Sequence, residues 1–123
     1  IDPNDIESAR ELAKLVEPLN DASRTALAYQ RVADLDPFDA KAQTVVGRRA
    51  MQEKDAPRAI RAFRTAIAGG APDKAAAHLD LAEAYYAAGQ ADNAKRETLA
   101  SLEIAPSFEK AQDLLLKIAG GTP

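Results

Sequence analysis

Residues 75–106 read AAAHLDLAEAYYAAGQADNAKRETLASLEIAP, and the punctuation of this stretch decides the fold. Leu81, Ala82 and Tyr85 recur at helical spacing, Gly89-Gln90 interrupts them, Ala94 opens a second helical stretch, and Pro106 ends it. Glycine accepts the left-handed φ of a turn, and proline disfavours the α conformation in the residue before it while suiting a helix start. The segment therefore reads as helix, short turn, antiparallel helix, stop. The same punctuation recurs upstream: Pro37, Pro72 and Pro106 lie 35 and 34 residues apart. Between them, Asn20-Asp21, Lys54-Asp55-Ala56-Pro57 and Gly89-Gln90 read as tight turns, with Asp55 able to cap a helix that has Pro57 in its first turn.

Composition agrees with a helical repeat. Of the 123 residues 28 are Ala, and Leu, Glu, Lys, Arg and Gln supply much of the remainder, all favourable in helices. Thin Ala-rich helices approach closely, so the few large residues must recur at fixed positions to fill the gaps.

They do recur. Leu81-Ala82-x-x-Tyr85, Gly89, Ala94 and Pro106 resemble the tetratricopeptide repeat, a 34-residue unit built from Leu-Gly-x-x-Tyr, a Gly turn, Ala, an aromatic, Ala and a closing Pro. Val46-Gly47-x-x-Ala50, Ala59, Phe63, Ala66 and Pro72 match in a second unit, which carries one extra residue at Gly69-Gly70. Leu12-Ala13-x-x-Val16, Tyr29 and Pro37 match more loosely in a first. Thr25, Thr98, Ser101 and His78 depart from the pattern. The resemblance implies an all-α fold of about seven helices: a right-handed α-solenoid superhelix of three helix-turn-helix units plus a capping helix. Its expected layout is one domain over 1–123, with repeats at 6–39, 40–74 and 75–108, a capping helix at 109–119, and frayed ends at 1–4 and 120–123. Ala13, Gly47, Ala82, Ala59 and Ala94 are expected to let paired helices touch. Leu12, Val46, Leu81, Tyr29, Phe63 and Tyr85 are expected to plug the seams, and Ala111, Leu114, Leu115 and Ile118 to seat the cap.

Counting excludes several function classes. With no Cys and one His, zinc fingers, iron–sulfur sites and disulfide scaffolds are out. His78 lacks a second His at a metal spacing, the serines lack a Gly-x-Ser-x-Gly elbow, and the Gly-Gly pairs are not followed by Lys-Ser/Thr. No enzyme activity, metal or cofactor is expected, and Asp34 and Asp36 read as solvated helix-end acids. Apolar runs are far shorter than the roughly 18 to 20 residues that cross a bilayer, so a soluble protein without membrane insertion is expected. The chain opens on Ile1 rather than Met, as expected of a processed form or a piece of a longer protein.

Charge is distributed unevenly. The net charge is −3, yet residues 40–74 carry eight basic against three acidic side chains. Arg58, Arg61 and Arg64 recur every three residues opposite Ala59, Phe63 and Ala66 and should lie on the convex face. They read as a solvated face paired with neighbouring acids, or as a basic ridge for an acidic partner. A net negative chain lacks the broad positive field that nucleic acid requires.

The family resemblance further implies a concave wall built from the first helix of each unit. Carried onto this sequence, that wall comprises Arg10 and Lys14, then Lys41, Thr44, Arg48 and Gln52, then Leu79, Glu83 and Tyr86. Some family members clamp a chaperone's C-terminal carboxylate with Lys, Asn and Arg residues on these helices. Here Ala76 and Asp80 stand where the later basic residues would fall, which disfavours that mode. The expectation is a non-catalytic protein–protein interaction scaffold, its groove holding a peptide or partner segment with an acidic part. The alternative is an accessory domain of a longer bacterial protein, such as an envelope hydrolase or secretion component, used for intramolecular docking or oligomerisation. Bacterial cytoplasm and periplasm fit equally, since a chain without Cys suits both.

Overall fold

A computed structural model describes residues 5–120. Among them run seven α-helices: α1 (Ile6–Val16), α2 (Ala22–Leu35), α3 (Ala40–Gln52), α4 (Ala56–Ala68), α5 (Lys74–Ala87), α6 (Ala91–Ile104) and α7 (Glu109–Gly120). A short 3-10 turn, Glu17–Leu19, extends α1.

Aspartates start five of the helices. The side chains of Asp5, Asp21, Asp39, Asp55 and Asp73 accept hydrogen bonds from backbone N–H groups of Glu7, Arg24, Ala42, Arg58 and Ala76. Each satisfies a donor that the first helical turn leaves unpaired, worth about 1 kcal/mol. Within the hairpins the chain reverses through left-handed residues at Asn20 (φ 56°), Lys54 (φ 60°) and Gly89 (φ 78°). Asn20 and Gly89 are the expected reversers. Lys54 is not, and its neighbour Asp55 fixes the turn by capping α4.

The helices stack in chain order. α1 packs on α2, α2 on α3, α3 on α4, and so on to α6 on α7, with α7 also touching α5. The result is an α-solenoid whose core is divided along its length. Ala13, Tyr29, Val32, Ala42 and Val46 form one apolar cluster; Ala50, Ile60, Phe63, Leu81 and Ala84 a second; Leu79, Ala82, Ala111 and Leu114 a third. Tyr85 is half-buried at the edge of the second cluster. Two departures from the family pattern sit in the third hairpin as satisfied polar groups. Ser101, fully buried, donates its hydroxyl to the Ala75 carbonyl across the hairpin (2.8 Å), and Thr98, also fully buried, back-bonds to Ala94 (2.7 Å). His78 is half-buried, its Nδ1 2.7 Å from Glu97 Oε1 on the facing helix.

Two expectations fail here and a third holds only in part. Leu12 does not plug a seam: it is 55% exposed, with no helix over it among the described residues. Gly120 is the last residue of α7 rather than part of a frayed end, while residues 1–4 and 121–123 lie outside the described residues. Asp36 is still partly in solvent, but it is also held internally: it accepts from Arg10 (2.8 Å) and from the Phe38 N–H (3.1 Å).

Candidate peptide-binding groove

An open cleft of about 210 Å³ lies between the first helices α3 and α5. Its walls include Lys41, Thr44 and Arg48 from α3, Asp73, Ala76 and Asp80 from the start of α5, and Ala71-Pro72 from the connection before it. Helical periodicity explains the α3 row, since residues three and four apart share a face. Thr44 is held by its hydroxyl bond to the Ala40 carbonyl (2.9 Å). Arg48 reaches across to Asp80 (3.4 Å) while staying largely in solvent. It also borders a second hollow of about 350 Å³ with Gln52, Glu17, Asn20, Asp21 and Arg49.

Electrostatically the cleft is divided. Burial pushes the Asp80 carboxyl above its usual range, against the pull of Arg48. Burial, then the neighbouring Asp80 charge, raises Glu83 as well, with Lys110 and Lys117 of α7 opposing. Asp80 thus faces Arg48 of α3 across the cleft, while Glu83, one turn on, lies within the influence of Asp80 and the α7 lysines. Lys41 lies 3.5 Å from Glu17 and over the Tyr29 ring at 5.8 Å. The Tyr29 hydroxyl donates to Glu17, and this bond, with Lys41, holds the Glu17 carboxyl below its usual range. Burial, and then the Glu17 bond, push the Tyr29 phenol up to about 12.

The nine residues expected along the wall separate accordingly. Lys41, Thr44 and Arg48 come together in the cleft, and Gln52 lines the adjoining hollow. Lys14 is exposed farther along α1, beside Glu17 and Pro18. Arg10 is committed internally: it donates to Asp36 (2.8 Å) and Asp39 (3.0 Å), tying α1 to the loop before α3. Those contacts keep its guanidinium more basic than usual, the Asp39 hydrogen bond contributing most. Leu79 does not line the wall, being 3% exposed beneath α7 with Ala111 and Leu114. Tyr86 is half-buried against the same cluster, and Glu83 remains solvent-accessible. Of the ridge, Arg58 is tied to Gln30 (2.9 Å) and Glu53 (3.4 Å), whereas Arg61 and Arg64 are exposed.

Among the wall residues missing from the sequence reading, Asp80 is the one that pairs with the α3 row. It figured there only as a departure from a basic clamp. Its position one turn before Glu83, on a helix with Leu81 and Ala84 facing inward, was the available signal. Among the described residues no group of three His, Cys, Asp or Glu side chains could hold a metal ion, and no helix is long and apolar enough to cross a membrane.

Comparison with known proteins fits this geometry. The first TPR of Spaghetti (RPAP3), solved with an HSP90 peptide SRMEEVD, superposes with a TM-score of 0.79 at 19% identity, covering 98% of this chain and 95% of that one. A crystal structure of MamA gives 0.82 at 24% identity, covering 98% of this chain and 70% of that one. An O-GlcNAc transferase from Thermobaculum terrenum gives 0.75 at 22% identity, with 92% of this chain covering 22% of that one. No curated protein matches the sequence significantly. The tetratricopeptide repeat family model matches residues 50–118, more than half of the chain. With its stacked helical hairpins and this match, the chain belongs to the tetratricopeptide repeat family, a fold that serves as a protein–protein interaction scaffold.

Proposed function

We propose that the chain holds an extended peptide or partner segment along its first-helix wall without acting on it chemically. The observation that carries this reading is the solvent-open row Lys41, Thr44, Arg48, which shares one cleft with Asp73 and Asp80. Acidic residues of the segment meet Lys41 and Arg48, and basic ones meet Asp80 and Glu83. Opposed charge across a groove fixes register and suppresses wrong partners more than it adds raw affinity. Chaperone-tail capture through a carboxylate clamp is not the mode, because Ala76 and Asp80 occupy the positions of the later basic residues. The working layout is one domain with repeats at 6–39, 40–74 and 75–108 and a cap at 109–119.

The test is a peptide selected from a random displayed library on the wild-type chain and measured again on a Lys41→Glu, Arg48→Glu variant. Reversal of two groove charges weakens an acidic peptide by about 1–3 kcal/mol, or roughly 5- to 150-fold. Equal binding by both chains refutes the assignment. A second reading, an accessory unit within a longer bacterial protein, draws support from the transferase neighbour, in which the matching region is 22% of the chain.

A further inference from the structure

One position on the first-helix wall carries a charge in every unit. Arg48 of α3, Glu83 of α5 and Lys117 of α7 lie 35 and 34 residues apart, and Lys14 of α1 precedes Arg48 by 34. The longer step is the one that spans the extra residue at Gly69-Gly70, so the four occupy equivalent places on successive helices of the wall. All four are exposed. α7 continues the wall beyond α5: Ala111 and Leu114 pack on Leu79 and Ala82, and Lys117 stands one turn after Leu114. Lys110 and Lys117 both act electrostatically on the Glu83 carboxyl, as neighbours on one face do. Asp113 lies between these lysines and leaves the α7 row net basic. Arg48 touches Asp80 at 3.4 Å yet keeps 62% of its side chain in solvent, and among the described residues no carboxylate forms an ion pair with Lys14 or Lys117.

Across the wall the charges run basic, basic, acidic, basic. Packed helices lie about 8–10 Å apart axis to axis, and an extended strand advances about 3.3 Å per residue, so a segment laid across the wall spends about three residues on each helix. We propose that Lys14, Arg48, Glu83 and Lys117 form a charge register that selects a partner segment with acidic residues opposite Lys14, Arg48 and Lys117 and a basic residue opposite Glu83, each about three positions from the next. The register rests on the groove reading above and goes further: it brings α7 into the binding wall and fixes the order and spacing of the partner's charges. A uniformly acidic segment sets a carboxylate against Glu83, and like-charge contact of this kind is how an interface rejects a wrong partner.

The register is tested by calorimetric titration of the chain with the peptide of about twelve residues most enriched on it from a random displayed library, long enough to cross four helices. The expected peptide carries the order acidic, acidic, basic, acidic at about three-residue spacing. Lys117→Glu and Glu83→Lys each weaken it about 3- to 10-fold. Each loss is recovered by exchanging the matching peptide residue, the last acid for Lys or the base for Asp. Lys95→Glu, exposed on α6 and off the wall, leaves binding unchanged. A peptide that weakens on Lys41→Glu, Arg48→Glu but ignores Lys117→Glu and Glu83→Lys overturns the register and leaves the groove reading standing. A library that yields no binder, or a peptide indifferent to every reversal, overturns both. Losses that the exchanged peptides fail to recover, or that Lys95→Glu reproduces, overturn the register as well.

Discussion

Replacing Gly47 by Ala places one methyl group where the structure has no room. A Cβ built there lies 2.5, 2.7 and 2.8 Å from three ring carbons of Phe63, against a normal carbon–carbon contact of about 3.5–4.0 Å. The ring cannot swing clear, since Phe63 is 3% exposed and packed among Ala50, Ile60 and Leu81. Overpacking of this kind costs about 1–3 kcal/mol. Opposing it, Ala in place of Gly in a helix interior gains about 1 kcal/mol. The overlap involves three atoms of a confined ring, so the cost falls at the upper end and the net loss is about 2 kcal/mol. Urea unfolding followed by helical circular dichroism measures it as a lower midpoint at unchanged slope. The companion variant Gly47→Ala, Phe63→Leu isolates the cause: with the ring gone, the added methyl no longer destabilises, so the two changes couple by about 1–2 kcal/mol. A Gly47→Ala protein as stable as the wild type, or additive behaviour of the pair, refutes the close packing inferred between α3 and α4.

Other outcomes follow from the polar contacts. Ser101→Ala removes the hydroxyl bond from α6 to the Ala75 carbonyl and lowers stability by about 0.5–1.5 kcal/mol, read from the same urea curves. Asp80 binds its proton more tightly folded than unfolded, so stability declines as pH rises from its ordinary value of 3.8 through the raised one; Asp80→Asn flattens that slope and is the more stable chain at neutral pH. Tyr29 carries the same sign at the alkaline end. Its stabilising contribution is intact below its ordinary value of 10.0 and is lost as pH rises toward about 12, a decline that Tyr29→Phe removes in alkaline melts.

The pattern that located the hairpins also explains where it misled. Proline, Gly and Asp punctuation act locally, through φ restriction and capping, so Pro37, Pro72, Asp55 and Gly89 report helix ends whatever lies nearby. Burial along a repeat depends instead on neighbours. Leu12 occupies the position of Val46 and Leu81, both buried, yet is exposed, since among the described residues no helix lies over that face of α1. Leu79 occupies the position of Thr44 on the wall, yet is buried because α7 folds against α5. Both errors arise where the packing around a hairpin departs from the repeating pattern, which the spacing of residues within one unit does not record. Arg10 failed for another reason: its side chain is long enough to reach Asp36 and Asp39, 26 and 29 residues away, and one-dimensional spacing carries no record of that reach. The central row of Lys41, Thr44 and Arg48 was legible because α3 has a hairpin on each side.

The most direct measurement of the central claim is amide chemical-shift mapping of the labelled chain with a library-selected peptide bound. The account predicts that perturbed amides concentrate along α3 and the start of α5, around Lys41, Thr44, Arg48, Ala76 and Asp80, and spare Arg61 and Arg64. Perturbations concentrated on the α4 ridge, around Arg61 and Arg64, with this wall silent, would contradict it.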